Sequence, residues 1–328
     1  MIGAIKKKIQ SNFLFIFIKS IKTSFQTVIE FKKNREDMNL FDLINFFIIR
    51  SIFGLTYFRN KIGYRKTGDI IDSSNFQYPI KKNKILKDLI ERGYSAKYNI
   101  NKLLGENLLT EILQNLKSSQ IIFKNKTKEI KQLAFTNKLN VEQFLKSNQV
   151  NIIKSSIDLK KATLLAQIFK NDFFISLAKD YLNDDRVTIS PYFFISAANN
   201  TIDVNSSNIN PLLSLSAQEF HFDVDFKKFF KVFIYFSDVF DESNGCHIYI
   251  PNTHREKKTE YMITSRFNTT EIELNYTPKF FLGEAGTMFI TDTFGIHKGA
   301  AVTKNTRLAL IFEYGKGHFP FNKNCTYI

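Results

Sequence analysis

Apolar residues recur every four positions at Ile5, Ile9, Phe13, Phe17, Ile21 and Phe25, with lysines at 6, 7, 8, 19 and 22 on neighbouring positions. A four-residue repeat aligns side chains along one stripe of a helix, so this segment reads as a basic amphipathic helix. Such a stripe faces either the rest of the protein or an anionic membrane surface. Asn39 is placed to cap a second helix running to about Phe58. Residues 60–80, with Gly63, Gly68 and Pro79, read as a linker.

A new unit begins near Lys82. Ile85, Leu86, Leu89 and Ile90 form a helical face ending at Gly93, Tyr94 to Ile100 reads as a strand, and Leu103 to Leu116 as a helix. Residues 124–150 are polar and weakly periodic, and Leu159 to Leu182 returns to helical spacing. From Val187 the pattern changes to short apolar runs: Tyr192 to Ala197, Phe230 to Phe236, Cys246 to Ile250, Gly286 to Thr291 and Leu308 to Tyr314. Short strands with long connections predict an antiparallel jelly-roll barrel, a double-stranded β-helix. The expected fold class is therefore α+β with a mainly β core braced by helices. Residues 1–80 form a helical extension and residues 81–320 the barrel domain.

Composition narrows the reading. The 328 residues are 44% hydrophobic, enough for a buried core. Cys246 and Cys325 fit neither a disulfide framework nor a zinc pair, so a reducing, cytoplasmic setting is expected. The net charge is +15. Thirteen Lys or Arg against six Asp or Glu in residues 1–80 concentrate nearly half of it there. Abundant Lys, Asn, Ile and Phe with no Trp matches AT-rich coding bias, so no nucleic-acid partner is expected. The run Phe13 to Ile18 is too short for a secretory core, and Leu40 to Phe58 is interrupted by Asp42 and Arg50. Contact with the inner membrane, if made through residues 1–80, is then peripheral.

The candidate chemistry lies in the second half. His221 and Asp223 are followed by His297 and then by Arg307. Two histidines and a carboxylate in this order have the sequence form of the facial triad that holds non-haem iron(II) with open positions. An arginine fork pairs with a carboxylate, which suggests a dicarboxylate co-substrate. Residues two apart in a strand share a side, so His221 and Asp223 are expected to reach one ion. Core or solvated roles are the ordinary alternatives for each of the four.

This order resembles the phytanoyl-CoA dioxygenase family of iron(II)- and 2-oxoglutarate-dependent oxygenases. The segment Asn244-Gly245-Cys246 to Pro251-Asn252-Thr253-His254-Arg255 is similar to a second family motif, and Glu91-Arg92-Gly93-Tyr94 followed by Asn101 to Leu104 to its usual opening. The likeness spans roughly residues 82 to 315. It implies that His221, Asp223 and His297 ligate Fe(II), that Arg307 grips 2-oxoglutarate, and that O2 is consumed in hydroxylating a substrate. Retention of Asp223 implies hydroxylation rather than halogenation. Family members often carry a hydroxyl two residues after the distal histidine, where this chain has Gly299; Tyr235 is the candidate for the missing co-substrate contact. His247 and His254 are expected to be structural. The loop Arg255 to Glu284 reads as a lid whose Arg255, Lys257, Lys258 and Arg266 are placed to meet an anionic group. The substrate class stays open among small molecules, lipids and saccharides. The competing reading is a non-catalytic barrel docked to a membrane or partner through its basic helices.

Overall fold

The computed structural model describes residues 14–15, 17–26, 28–29, 40–53, 55–73, 79–100, 106–123, 126–198, 217–257, 266–317 and 326–327. Ile5, Ile9, Phe13, Asn39, Asn101 to Leu104, Lys258 and Cys325, named above, lie outside these residues.

The first described residues are helical. The described helical residues of α1 are 14–15, 17–26 and 28–29. Ser20 Oγ on α1 donates to Ser51 O at 3.3 Å, joining it to the stretch after α2 (Leu40–Ile48). The helix expected to reach Phe58 instead becomes a π-turn at Ile49–Phe53 and restarts as α3 (Thr56–Asn60). Ser51 Oγ turns back onto Phe47 O at 2.6 Å, the kind of competition with the backbone ladder that bends helices. The described residues of 61–80 contain no helix, yet Thr67 among them is tied down. Thr67 donates to Asp180 from its backbone N–H at 3.2 Å and its hydroxyl at 3.0 Å. Strands β1 (Ile71–Asp72) and β2 (Ile80–Lys81) pair with each other.

Helix α4 (Lys82–Arg92) ends at Gly93 as the sequence predicts, and φ there is 82°. A Cβ at Gly93 would also lie 2.1 Å from Tyr249 Oη, so both conformation and space demand glycine. The strand expected at Tyr94 to Ile100 contracts to β3 (Tyr98–Asn99) and a bridge at Tyr94. After α5 (Glu106–Gln114) come β4 (Leu116–Phe123), β5 (Lys126–Ile130) and, beyond α6 (Lys138–Ser147), β6 (Val150–Ile157). These three strands are absent from the sequence reading. Ile121 and Ile153 face the helices while Ile122 and Ile152 pack on the other face with Phe194, so apolar doublets replace the period of two. The single helix predicted over Leu159 to Leu182 is two, α7 (Thr163–Phe169) and α8 (Asp172–Leu182). Asn171 restarts the second by accepting from Phe174 N at 3.1 Å.

Eight strands follow in chain order: β7 (Thr188–Ala197), β8 (Phe220–His221), β9 (Phe229–Tyr235), β10 (His247–Tyr249), β12 (Lys279–Phe281), β13 (Thr287–Thr291), β14 (His297–Gly299) and β15 (Thr306–Gly315), with β11 (Arg266–Phe267) between β10 and β12 and β16 (Thr326–Tyr327) after them. The major sheet contains the order β13-β9-β15-β7, and the minor sheet the order β8-β14-β10-β12. Apart from β11 and β16, successive strands thus alternate between two antiparallel sheets except at β10 and β12, which follow one another and pair within the minor sheet; this is the connectivity of the double-stranded β-helix. The sheet continues beyond β7 through β6, β4 and β5.

Alternation along β15 separates two cores. Leu308, Leu310, Phe312 and Tyr314 pack toward the helices, with Leu89, Phe174 and Leu177. Ala309 and Ile311 belong to the core between the sheets, with Phe220, Tyr249, Phe289 and Ile296. The expected lid is partly built into this barrel: β11 pairs with β8, α9 (Thr269–Asn275) follows, and β12 pairs with β10. Lys257 is buried over the Phe294 ring at 3.4 Å and Arg255 is exposed, so these two loop cations do not converge.

Candidate active site

His221 closes β8 and pairs in register with His297 of β14, which brings the two rings to 4.3 Å between centroids. Asp223 lies beyond the end of β8, so a shared strand does not place it. Its backbone N–H donates to Thr293 O at 2.9 Å, and this bond holds it beside the histidines. Asp223 Oδ1 is 3.7 Å from His221 Nε2, and Oδ2 is 3.5 Å from His297 Nε2. One ligand atom from each of the three residues lies within 4.8 Å of the others.

The protonation pattern suits a metal. His221 Nδ1 bonds to Glu219 O at 2.8 Å and His297 Nδ1 to Gly295 O at 2.9 Å. A carbonyl only accepts, so each Nδ1 carries the hydrogen and each Nε2 keeps its lone pair. Burial pushes both imidazoles below their usual range, holding them neutral. Burial opposes charge on Asp223 as well, but the Lys231 ammonium at 2.8 Å holds it well below the usual carboxylate range. Two neutral nitrogens and one carboxylate, each oriented by an outer partner, form a donor set that fits a divalent transition metal.

The three residues open onto a cavity of about 160 Å³ whose wall includes Arg307, Tyr235, His247, Lys154 and Lys231. A larger hollow of about 960 Å³, bordered by Lys146, Val150, Ala198 and Thr306, contains none of these eight. Arg307 is buried and has no carboxylate partner among the described residues. Its Nη1 donates to Gly245 O, its Nη2 to Ser196 Oγ at 3.1 Å, and its Nε has no partner among the described residues. A Cβ at Gly299 would lie 3.5 Å from Arg307 Nη1, so the glycine leaves the guanidinium uncovered on that side. Tyr235 stands in the cavity wall, where its hydroxyl accepts from His247 N at 2.9 Å and donates to Phe281 O at 3.0 Å. That hydrogen ties β9 to β12.

Several neighbours escape a reading of the sequence alone. Ser196 meets Arg307 only because β7 and β15 pair across 111 positions. Lys231 bridges Asp223 and Asp225, the latter at 2.9 Å, with Glu313 at 3.4 Å. Burial works against its charge, yet the three carboxyl groups keep it protonated. His247 is opposite Gly299 in register and its buried Nε2 has no partner among the described residues. His254 is structural, its Nε2 lying 3.2 Å from Ile90 O.

A second buried pair positions the distal histidine. Arg59, from α3, binds both oxygens of Asp292 at 2.8 and 3.0 Å, and Tyr181 Oη donates to the same carboxylate at 2.5 Å. Phe294 N donates to Asp292 Oδ1 and Gly295 N to Asp292 O, forming a tight turn. The Gly295 carbonyl at its end orients His297. The run Asp292-Thr293-Phe294-Gly295 carries the turn signal in sequence, but nothing local names Arg59 as its partner.

No protein-family model matches the chain, and no curated protein does. Among solved structures, the chain is similar to the non-heme alpha-ketoglutarate-dependent epimerase SnoN from nogalamycin biosynthesis, at 11% identity and TM-score 0.44 over 71% of this chain and 81% of that one. It is also similar to AviO1 from Streptomyces viridochromogenes Tue57, at 11% identity and TM-score 0.42 over 73% and 96%. HygX from Streptomyces hygroscopicus, with nickel and 2-oxoglutarate bound, aligns at 14% identity and TM-score 0.35 over 65% and 87%. The fold assignment stands on the strand order of the chain itself.

Proposed function

We propose that this chain is an iron(II)- and 2-oxoglutarate-dependent dioxygenase of the phytanoyl-CoA dioxygenase type that hydroxylates a C–H bond of a small-molecule, lipid or saccharide substrate. One observation carries the reading: a guanidinium that is buried and without a carboxylate partner among the described residues shares a cavity with a cluster of two neutral histidines and one carboxylate. An uncompensated buried charge is costly, and a dicarboxylate reaching from the metal to Arg307 offsets it. Bound at the triad, iron(II) would supply the activation of O2 coupled to co-substrate decarboxylation. His221, Asp223 and His297 would hold it on one side, leaving the cavity side for 2-oxoglutarate and O2.

Arg307 binds the distal carboxylate, and Ser196 fixes the plane of the guanidinium. His247 provides the polar edge that Gly299 lacks, while Tyr235 acts by holding the backbone of His247. Lys231 keeps Asp223 ionised and engages one of its oxygens, which favours ligation through the other. Retention of Asp223 favours hydroxylation over halogenation. Replacing Arg307 by leucine is expected to raise the KM for 2-oxoglutarate by at least about 30-fold, the equivalent of losing roughly 2 kcal/mol of a buried charge pair. Iron content should not change. Succinate release measured against 2-oxoglutarate concentration checks this, and an unchanged KM would remove Arg307 from the co-substrate site.

A further inference from the structure

Helices α1 and α2 carry more apolar surface than their packing uses. Ser20 and Ser24 are buried and Phe17 and Ile21 half-buried, so the inner face of α1 holds two members of the predicted stripe. Leu14, Phe15, Ile18, Phe25 and Ile29 on α1, Phe41 and Ile44 on α2, and Tyr57 on α3 are between 44% and 67% exposed. Leu14, Ile18, Phe25 and Ile29 follow one another at steps of four, seven and four, which keeps them on a single helical face. Isolated surface leucines need no explanation, but eight large apolar residues on consecutive helices do.

The charges beside them say what covers this face. Among the described residues of 14–61, Asp42 is the only acid, against the exposed Lys19, Lys22 and Lys61, with Arg50 half-buried and Arg59 buried on Asp292. Lys19 Nζ lies 6.0 Å from the Phe15 centroid and Lys61 Nζ 4.7 Å from the Tyr57 centroid. An apolar face edged by lysines above aromatic rings suits a bilayer interface, where stems stay in the acyl boundary and ammonium groups reach phosphates. Two copies of this chain meeting through the same face would instead bring these cations together. From these observations we infer that the α1–α2 face docks the protein onto an anionic lipid bilayer as a peripheral surface. The face is joined to the barrel through the bond from Ser20 to Ser51 and through Ile49, which packs in the core between the sheets. Phe53 lies under Lys227, in the segment that follows Asp223, so docking holds the bilayer next to the chain leaving the metal cluster.

The native chain has no tryptophan, so Phe25→Trp installs a single fluorescent reporter on this face. Full-length protein is mixed with phosphatidylcholine vesicles, or with vesicles in which about a third of the lipid is phosphatidylglycerol. The expected result is a blue shift of the tryptophan emission and at least about tenfold more cosedimentation with the anionic vesicles. A Phe15→Ser, Ile18→Ser, Ile29→Ser variant should lose that binding by about tenfold or more with unchanged circular dichroism. Emission and sedimentation that ignore anionic vesicles, or that respond equally to both lipids, would overturn the inference. So would a dimer in solution that the serine variant converts to monomer while the native chain stays off vesicles.

Discussion

Alanine in place of Asp223 is expected to abolish iron(II)-dependent conversion of 2-oxoglutarate to succinate. Iron affinity should fall by more than the roughly 10–100-fold that loss of an outer partner of a metal ligand costs. Asp223 supplies the only anionic ligand of the cluster, and its two oxygens are the atoms that approach both Nε2 lone pairs. The fold should tolerate the change, because Lys231 keeps Asp225 at 2.9 Å and Glu313 at 3.4 Å as partners. A loss of turnover with an unshifted melting temperature is therefore the predicted signature, read by succinate release and metal titration of the same sample. A non-catalytic barrel would show no change in its ligand binding on this substitution.

Arg59→Leu should produce the largest loss of stability. It leaves Asp292 buried and without its bidentate partner, a change that costs about 3–5 kcal/mol when one member of a buried ion pair is removed. For a chain of this size that corresponds to a fall of about 4–7 °C in melting temperature. The pH dependence follows from Asp292. Burial raises its pKa, but Arg59 and His254 outweigh burial and leave it below the usual value in the folded protein. A carboxyl group depressed on folding contributes stability above its unfolded pKa, about 3.9, and loses it as pH falls through the folded value. The gap between native and variant melting temperatures should accordingly be full at neutral pH and close below about pH 4. A gap that persists unchanged in acid would show that Arg59 acts by packing over Phe229 and Phe294 alone. Because the Asp292 turn carries the Gly295 carbonyl that orients His297, iron affinity should fall as well, by roughly 10–100-fold.

The four residues of the candidate site were legible because their chemistry is rare and their order is informative. Five of the barrel strands after Val187, β7, β9, β10, β13 and β15, are legible as apolar runs between turn residues, and Gly93 as a helix stop, whereas the three-residue β12 and β14 are not. What stayed hidden depends on pairing between distant segments. Ser196 reaches Arg307, Lys231 reaches Glu313, and Arg59 reaches Asp292 only after the sheets and helices assemble. β4 and β6 stayed hidden for a different reason, since both their faces are covered and Ile121-Ile122 and Ile152-Ile153 erase the alternation a half-buried strand displays. The four-residue repeat at the N-terminus located a helix but not its faces. Phe17 and Ile21 are half-buried while Phe25 of the same stripe is exposed, because the inner face also takes Ser20 and Ser24.

The central claim is that the metal cluster and Arg307 form one site for one dicarboxylate. Calorimetric titration of 2-oxoglutarate, without oxygen, into native and Arg307→Leu protein, each with and without iron(II), tests it most directly. Binding should require the metal in the native chain and weaken by at least about 30-fold in the variant. Equal affinity in metal-loaded and metal-free protein, or in native and variant chains, would contradict it.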